Sequence, residues 1–364
     1  MSKKITMQQI ANYLGVSKFV VSKALSGKAG VSDHTKERVI EAASQLGYFS
    51  QKNAYMKPNR VETNVRSQGS SKQSVLVLMP NIRFQTKESL YWGRILDGVS
   101  AELEQRGIGM VILSEQSIDH FTQFINLDGI LGIIGIGEIS STMLLEIHRL
   151  GMTMVLVDHE DYLIPADSIF VDNYEATYRL TKQLIGTGHN EIVFVGNTQF
   201  SRSFYDRFLG YRAAMEEQLY RQQKNDGEKI TSLSYSSCID RSFLNIEGFE
   251  SEQFAQQLKQ WITRQKVMPT AIVCGNDAIA LGAVQMLQAL GINVPEQISV
   301  SGFDNIEDSY RLSPALTTVH VPKETLGKKA VERLLNRLAT PDEPIVKILV
   351  KSELIYRDST AARE

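Results

Sequence analysis

Two groups of residues in this 364-residue chain have the types and spacing to do chemistry. The first lies in TMQQIANYLGVSKFVVSKALS, from Thr6 to Ser26. Helical spacing from Ser17 onward turns Lys18, Phe19, Ser22 and Lys23 to one outward face. Lysine can donate to guanine and serine to phosphate or a base edge, so a short helix with this face can read a major groove. Spacing alone leaves a helical hairpin with a solvated face as the alternative. The second group follows short apolar runs: Asp158 after MVLV, Arg207 in SRSFYDRFLGY, Asn276 and Asp277 ending TAIVCGND, and Asp304 and Asn305 ending ISVSGFDN. Carboxylates, an amide and an arginine gathered beside aromatics suit a sugar's hydroxyls. Taken singly, Asp277 also reads as a helix N-cap, Asn305 as a turn former and Asp158 as a loop residue.

The elements that must position the first group are two short helices. Thr6, with Gln9 three residues on, caps a helix whose apolar stripe is Ile10, Ala11 and Leu14. Gly15 ends it, Val16 plugs the turn, and Ser17 caps a second helix that buries Val20, Val21, Ala24 and Leu25. A third helix is expected from Asp33 to Leu46, capped by Ser32 and stopped by Gly47, with Val39, Ile40, Ala43 and Leu46 closing the core. Lys36 and Arg38 lie on its outer side, as solvated charge or as phosphate contacts. From Phe49 to Ser74 the chain turns polar, with Pro58 and Gly69, and reads as a linker.

From Val75 onward, strands and helices alternate. VLVLMP, a helix near Tyr91 to Gln105, IGMVIL, GILGIIGI, a helix near Ser141 to Leu150 and MTMVLVD make one series. The second runs from a helix near Tyr174 to Thr187 through EIVFVGN, helices near Ser203 to Gln218 and Glu252 to Thr263, TAIVCGN, a helix near Asp277 to Leu290, and ISVSGFDN. Short, fully apolar strands separated by helices predict two doubly wound parallel sheets, and ligands of such sheets sit beyond the strands' carboxyl ends. The hydrophilic run from Arg221 to Lys229 reads as a surface excursion.

Composition narrows the function classes. At 43% hydrophobic the chain can fill several cores, and it has no apolar run of membrane-spanning length. MSKKITMQQI lacks the apolar centre of a signal peptide, so a cytoplasmic location is expected. Residues 1–60 carry ten Lys and Arg against three Asp and Glu, while the whole chain is at −2. A basic head on an acidic body is the footprint of one domain that meets phosphate and a remainder that does not. Cys238 and Cys274 have no metal spacing and read as incidental thiols. Gly132, Gly135 and Gly137 fall short of a dinucleotide fingerprint, and no Walker motif, nucleophile elbow or metal-spaced histidine pair is present. No cofactor, metal or enzymatic activity is expected.

From Ile10 to Tyr48 the chain carries, in register, IAxxxGVS, VSKxLSG, VSxxTKxRV and LGY. In this it resembles the DNA-binding headpiece of the LacI/GalR family of bacterial transcription regulators. Residues from about 70 to 364 resemble that family's sugar-binding core, most strongly from Gly188 onward and weakly between Gln218 and Phe249. The resemblance implies an α/β chain: a three-helix helix-turn-helix headpiece at 1–58, a linker at 59–73, and a two-lobed, periplasmic-binding-protein-like (type I) core at 74–364. Lobe one is expected at about 74–165 and 319–341, lobe two at about 166–318 and 342–364. It implies DNA contacts from Thr6, Ser17, Lys18, Phe19, Val20, Ser22, Lys23, Lys36, Tyr48, Met56 and Lys57. Typical members place a hinge leucine in the minor groove; here Ala54 fits the pattern, but the wedge position holds Lys57, followed by Pro58, with Met56 the nearest apolar residue. Effector contacts are implied for Asp158, Arg207, Asn276 and Asp304. The loop from Asn81 to Trp92 should form the other wall, with Phe84, Glu88 and Trp92 as contacts and Glu88 favouring an amine. The expected molecule is a homodimeric, operator-binding regulator, in this family usually a repressor, governed by a sugar or amino sugar. A cytoplasmic solute-binding protein without a regulatory role is the alternative.

Overall fold

Thr6 opens α1 (Met7–Leu14): its hydroxyl accepts from the Gln9 amide while the Gln9 side chain accepts from the Thr6 amide, a reciprocal capping box. Gly15 ends the helix at φ 68°, where a residue without Cβ carries no penalty. The Ser17 hydroxyl then accepts from the Val20 amide and starts α2 (Lys18–Leu25). Ile10, Ala11 and Val21 are fully buried, as is Val39, which is helical like Thr35. The computed structural model describes residues 6–25, 35, 39, 73–83, 85–114, 129–226, 242–246 and 252–363. The rest of the expected third helix with Lys36, Tyr48, and the linker with Met56 and Lys57 lie outside the described residues. The chain divides into two units, Met1–Ser70 and Ser71–Glu364.

The second unit runs β1 (Ser74–Leu78), α3 (Trp92–Gln105), β2 (Gly109–Leu113), β3 (Ile130–Ile136), α4 (Ser141–Arg149), β4 (Met154–Val157), β5 (Asp167–Val171) and α5 (Asn173–Gly186). It continues with β6 (Ile192–Gly196), α6 (Arg202–Asp226), β7 (Phe243–Asn245), α7 (Glu252–Arg264), β8 (Ala271–Cys274), α8 (Asp277–Ala289) and β9 (Ser299–Ser301). Then come β10 (Thr318–His320), α9 (Lys323–Ala339), β11 (Lys347–Val350) and β12 (Glu353–Ile355).

Two parallel sheets form, in the orders β11-β5-β4-β3-β1-β2 and β7-β6-β8-β9. β4, β5, β6 and β8 are buried along their whole length, as helices on both faces require. β10 and β12 pair antiparallel, and bridges Ser301–Thr317 and Asp304–His320 join them to the edge at β9.

One expectation needs correction. Asp167–Val171 and Lys347–Val350, both assigned to lobe two, pair with each other in the first sheet, where β5 also pairs with β4. Asp167 anchors them: it accepts from Arg333 and Arg337 of α9 and from the Val346 amide at 2.8 Å. The chain therefore passes between the lobes after β5, between β10 and α9, and between β11 and β12. α9 packs on α3 at van der Waals limit, because a Cβ at Gly98 would lie 2.1 Å from the Glu324 carbonyl and one at Gly327 2.1 Å from that of Ile95. α6 also runs to Asp226, beyond the expected Gln218 and into the hydrophilic run, with Arg212–Glu216 and Glu217–Arg221 pairs at i,i+4 along the approach to it.

Candidate functional site

On the headpiece, Lys18, Phe19 and Ser22 are exposed and Val20 is half-buried. Lys23 Nζ lies 5.0 Å from the Phe19 ring centroid, a cation–π pair along one face of α2. The Thr6 and Ser17 hydroxyls both serve the helix starts.

In the core, the polar residues beyond the strand ends converge. Arg207, on α6, is almost fully buried with every arm engaged: Nε donates to Asn173 Oδ1 at 2.8 Å, Nη1 to the Gly275 carbonyl at 2.7 Å, and Nη2 to Asp304 Oδ1 at 3.1 Å. The guanidinium stacks on Phe303, 3.8 Å from the ring centroid. Asp304 and Asn305 have φ 108° and 50°, and Asp158 has φ 54°, backbone values that side chains with a Cβ seldom take and that collect at ligand sites. Lys323, at the start of α9, reaches across to donate to the carbonyls of Asp304 and Asn305. Asp158 accepts from Ser203 of α6. Burial pushes the Asp158 carboxyl up to about 6, against the pull of the Ser203 hydroxyl and Arg207. Asp304 is raised by burial and held back by Arg207 and Lys323.

Asn276, not Asp277, is the N-cap of α8, its side chain accepting from the Ile279 amide at 3.0 Å. Asp277 is wholly buried, accepting from the Thr318 hydroxyl and, at 2.8 Å, from the Ile306 amide; burial first, then the Asp304 charge, push it up to about 7. Trp92 is half-buried against Tyr91 in an edge-on contact at 4.8 Å, Glu88 is exposed in the turn before α3, and Phe84 lies outside the described residues.

Asp158 also lines a cavity of about 320 Å³ with Arg83, His159, Glu160, Thr198, Gln199, Arg202 and the tyrosines Tyr162 and Tyr205. Arg83 pairs with Glu138 and lies over the Phe200 ring, and Arg202 pairs with Glu160 at 3.0 Å. Arg83 over Phe200, Arg202–Glu160 and Ser203–Asp158 link the two lobes. The buried His159 Nε2 has no hydrogen-bond partner there, a group that calls for one. Asn173, Ser203, Arg83 and Lys323 were absent from the sequence-derived set; the first follows an unrecognised strand, and Lys323 had only the helix start after V-P as a signal. No group of three His, Cys, Asp or Glu among the described residues is placed to hold a metal, and no described helix is long and apolar enough to cross a membrane.

Three family models match this chain: bacterial regulatory proteins of the lacI family over residues 6–51, periplasmic binding proteins and sugar binding domain of the LacI family over 72–226, and a periplasmic binding protein-like domain over 181–360. The chain belongs to the LacI family. Among LacI-family relatives, the HTH-type transcriptional repressor PurR of Vibrio cholerae is 28% identical over 361 residues, 97% of each chain. PurR of Pectobacterium atrosepticum is 28% identical, covering 98% of this chain and 97% of its own. Solved structures share the fold. A transcriptional regulator CelR–cellobiose complex matches at TM-score 0.63 and 21% identity, covering 98% of this chain and 99% of that one. The lac repressor dimer bound to operator and the anti-inducer ONPF matches at 0.62 and 22%, covering 99% and 100%. A LacI-family regulator from Enterococcus faecium with bound ribose matches at 0.63 and 20%, covering 80% and 100%.

Proposed function

We propose that this LacI-family protein is a transcriptional repressor that binds a pseudo-palindromic operator as a homodimer and changes operator affinity when a sugar or amino sugar occupies the cleft between its lobes. The observation that carries the effector reading is the buried Arg207–Asp304 pair at the strand ends, with Asp158 and an unsatisfied His159 on the adjoining cavity wall. Polar groups are buried there at a cost that a hydroxylated ligand repays. Cellobiose and ribose, bound in two of the similar structures, belong to that class. The dimer reading rests on one recognition helix burying too little surface to select a site, and on the lac repressor dimer as a fold neighbour. Regulation, not catalysis, is the activity borne by the relatives' names, and a cytoplasmic location belongs to this reading because its partner is DNA.

Gel-shift titration of selected operator DNA, with and without a panel of sugars and amino sugars, tests the whole reading. A shift that one sugar alters supports it. No binding to any selected DNA would sink it, and binding that no member of the panel alters would sink the effector half.

A further inference from the structure

Phe19 narrows what the α2 face can read. The residue is 67% exposed and its ring has no donor or acceptor, while its exposed neighbours Lys18 and Ser22 are polar. Every base edge in the major groove offers hydrogen-bonding groups, and one apolar group stands among them, the 5-methyl of thymine. A phenyl ring set against phosphate or a bare carbonyl or amino edge would strip water from those groups and return nothing. Against a methyl it gains apolar burial. Lys23 Nζ, 5.0 Å over the ring centroid, covers one face and leaves the other face and the edge of the ring to meet DNA. The same ammonium brings a donor beside whatever base pair the ring meets.

We infer that Phe19 reads one thymine in each operator half-site through its 5-methyl group. This rests on the operator-binding reading above and adds the base and the atom. The test uses full-length protein and double-stranded DNA with a randomised core, from which the preferred site is enriched. Each thymine of that site is then replaced singly by deoxyuridine, which keeps pairing and hydrogen bonds and removes the methyl alone. Burying one methyl predicts that wild type loses about threefold to fivefold in affinity at one thymine per half-site. Phe19→Ala, whose melting temperature should match wild type because the side chain is exposed, binds the thymine and deoxyuridine sites equally. A response to deoxyuridine that survives Phe19→Ala, or no response at any position, overturns the inference alone. Failure to enrich any site overturns the operator reading and this inference with it.

Discussion

Arg207 Nη2 donates to Asp304 Oδ1 at 3.1 Å with only 4% and 11% of the two side chains exposed. A buried pair is worth little against an apolar substitute, but breaking it strands a charge. Arg207→Leu therefore leaves Asp304 facing burial with Lys323 as its nearest cation, and should cost the core about 3–5 kcal/mol in urea unfolding. A cost under about 1 kcal/mol would show that the pair is not a sequestered unit.

Asp304→Asn keeps the side chain's shape and an acceptor for Arg207 while removing the charge. Added sugar should stabilise wild type by mass action, by about 2.7 kcal/mol at a hundredfold excess over Kd, and the variant far less. Operator binding without sugar should remain near wild type, since the change lies in the core. An equal rise in melting temperature for both proteins would remove Asp304 from the effector site.

Asp277 gives a pH dependence of definite sign. Its folded value of about 7 lies above the ordinary 3.8, so protonation favours the folded chain; the contribution is full below about pH 4 and lost as pH rises through about 7. His159 and His320, held low by burial, act oppositely, gaining stability for the fold as pH rises past their usual range. The diagnostic is thus a difference: the stability of Asp277→Asn relative to wild type should improve by about 2–4 kcal/mol between pH 4.5 and pH 8. Parallel profiles would show that Asp277 does not titrate.

Thr6 can be tested as a cap apart from any contact with DNA. Thr6→Ala should destabilise the headpiece by about 1 kcal/mol, and Thr6→Asp, an equally good N-cap, should restore its melting temperature. If operator affinity returns with Thr6→Asp, the cap is all that Thr6 supplies. If affinity stays low, the added negative charge is facing phosphate.

The headpiece start is legible because its signals are local: Thr6 with Gln9, Gly15 and Ser17 each act within four residues. The same holds for runs such as GILGIIGI. DSIFV escaped recognition because Asp167 and Ser168 are polar yet buried, and what makes this tolerable is Arg333 and Arg337, more than 160 residues away. KILV is an edge strand exposed at alternate residues and carries no fully apolar signature. Missing both displaced the lobe boundaries. Asp158 and Asp304 were found from their position after strands, and Arg207 from the SRSFYDRFLGY motif of the family resemblance. Asn173, Ser203 and Lys323 were not, because their roles exist only once distant elements meet.

Three passages of chain between the lobes have a consequence for how this molecule is built and broken. Neither lobe corresponds to one continuous stretch of sequence, so neither can be produced by truncation, and a ribosome must finish β11 before the first sheet has its last strand. Pairing β5 with β11 brings together residues some 180 positions apart, a closure that slows folding more than it weakens the product. Once formed, the arrangement is forgiving: a protease that cuts a single crossing leaves two covalent ties, and the nicked core should elute intact under native conditions and fall apart only in denaturant.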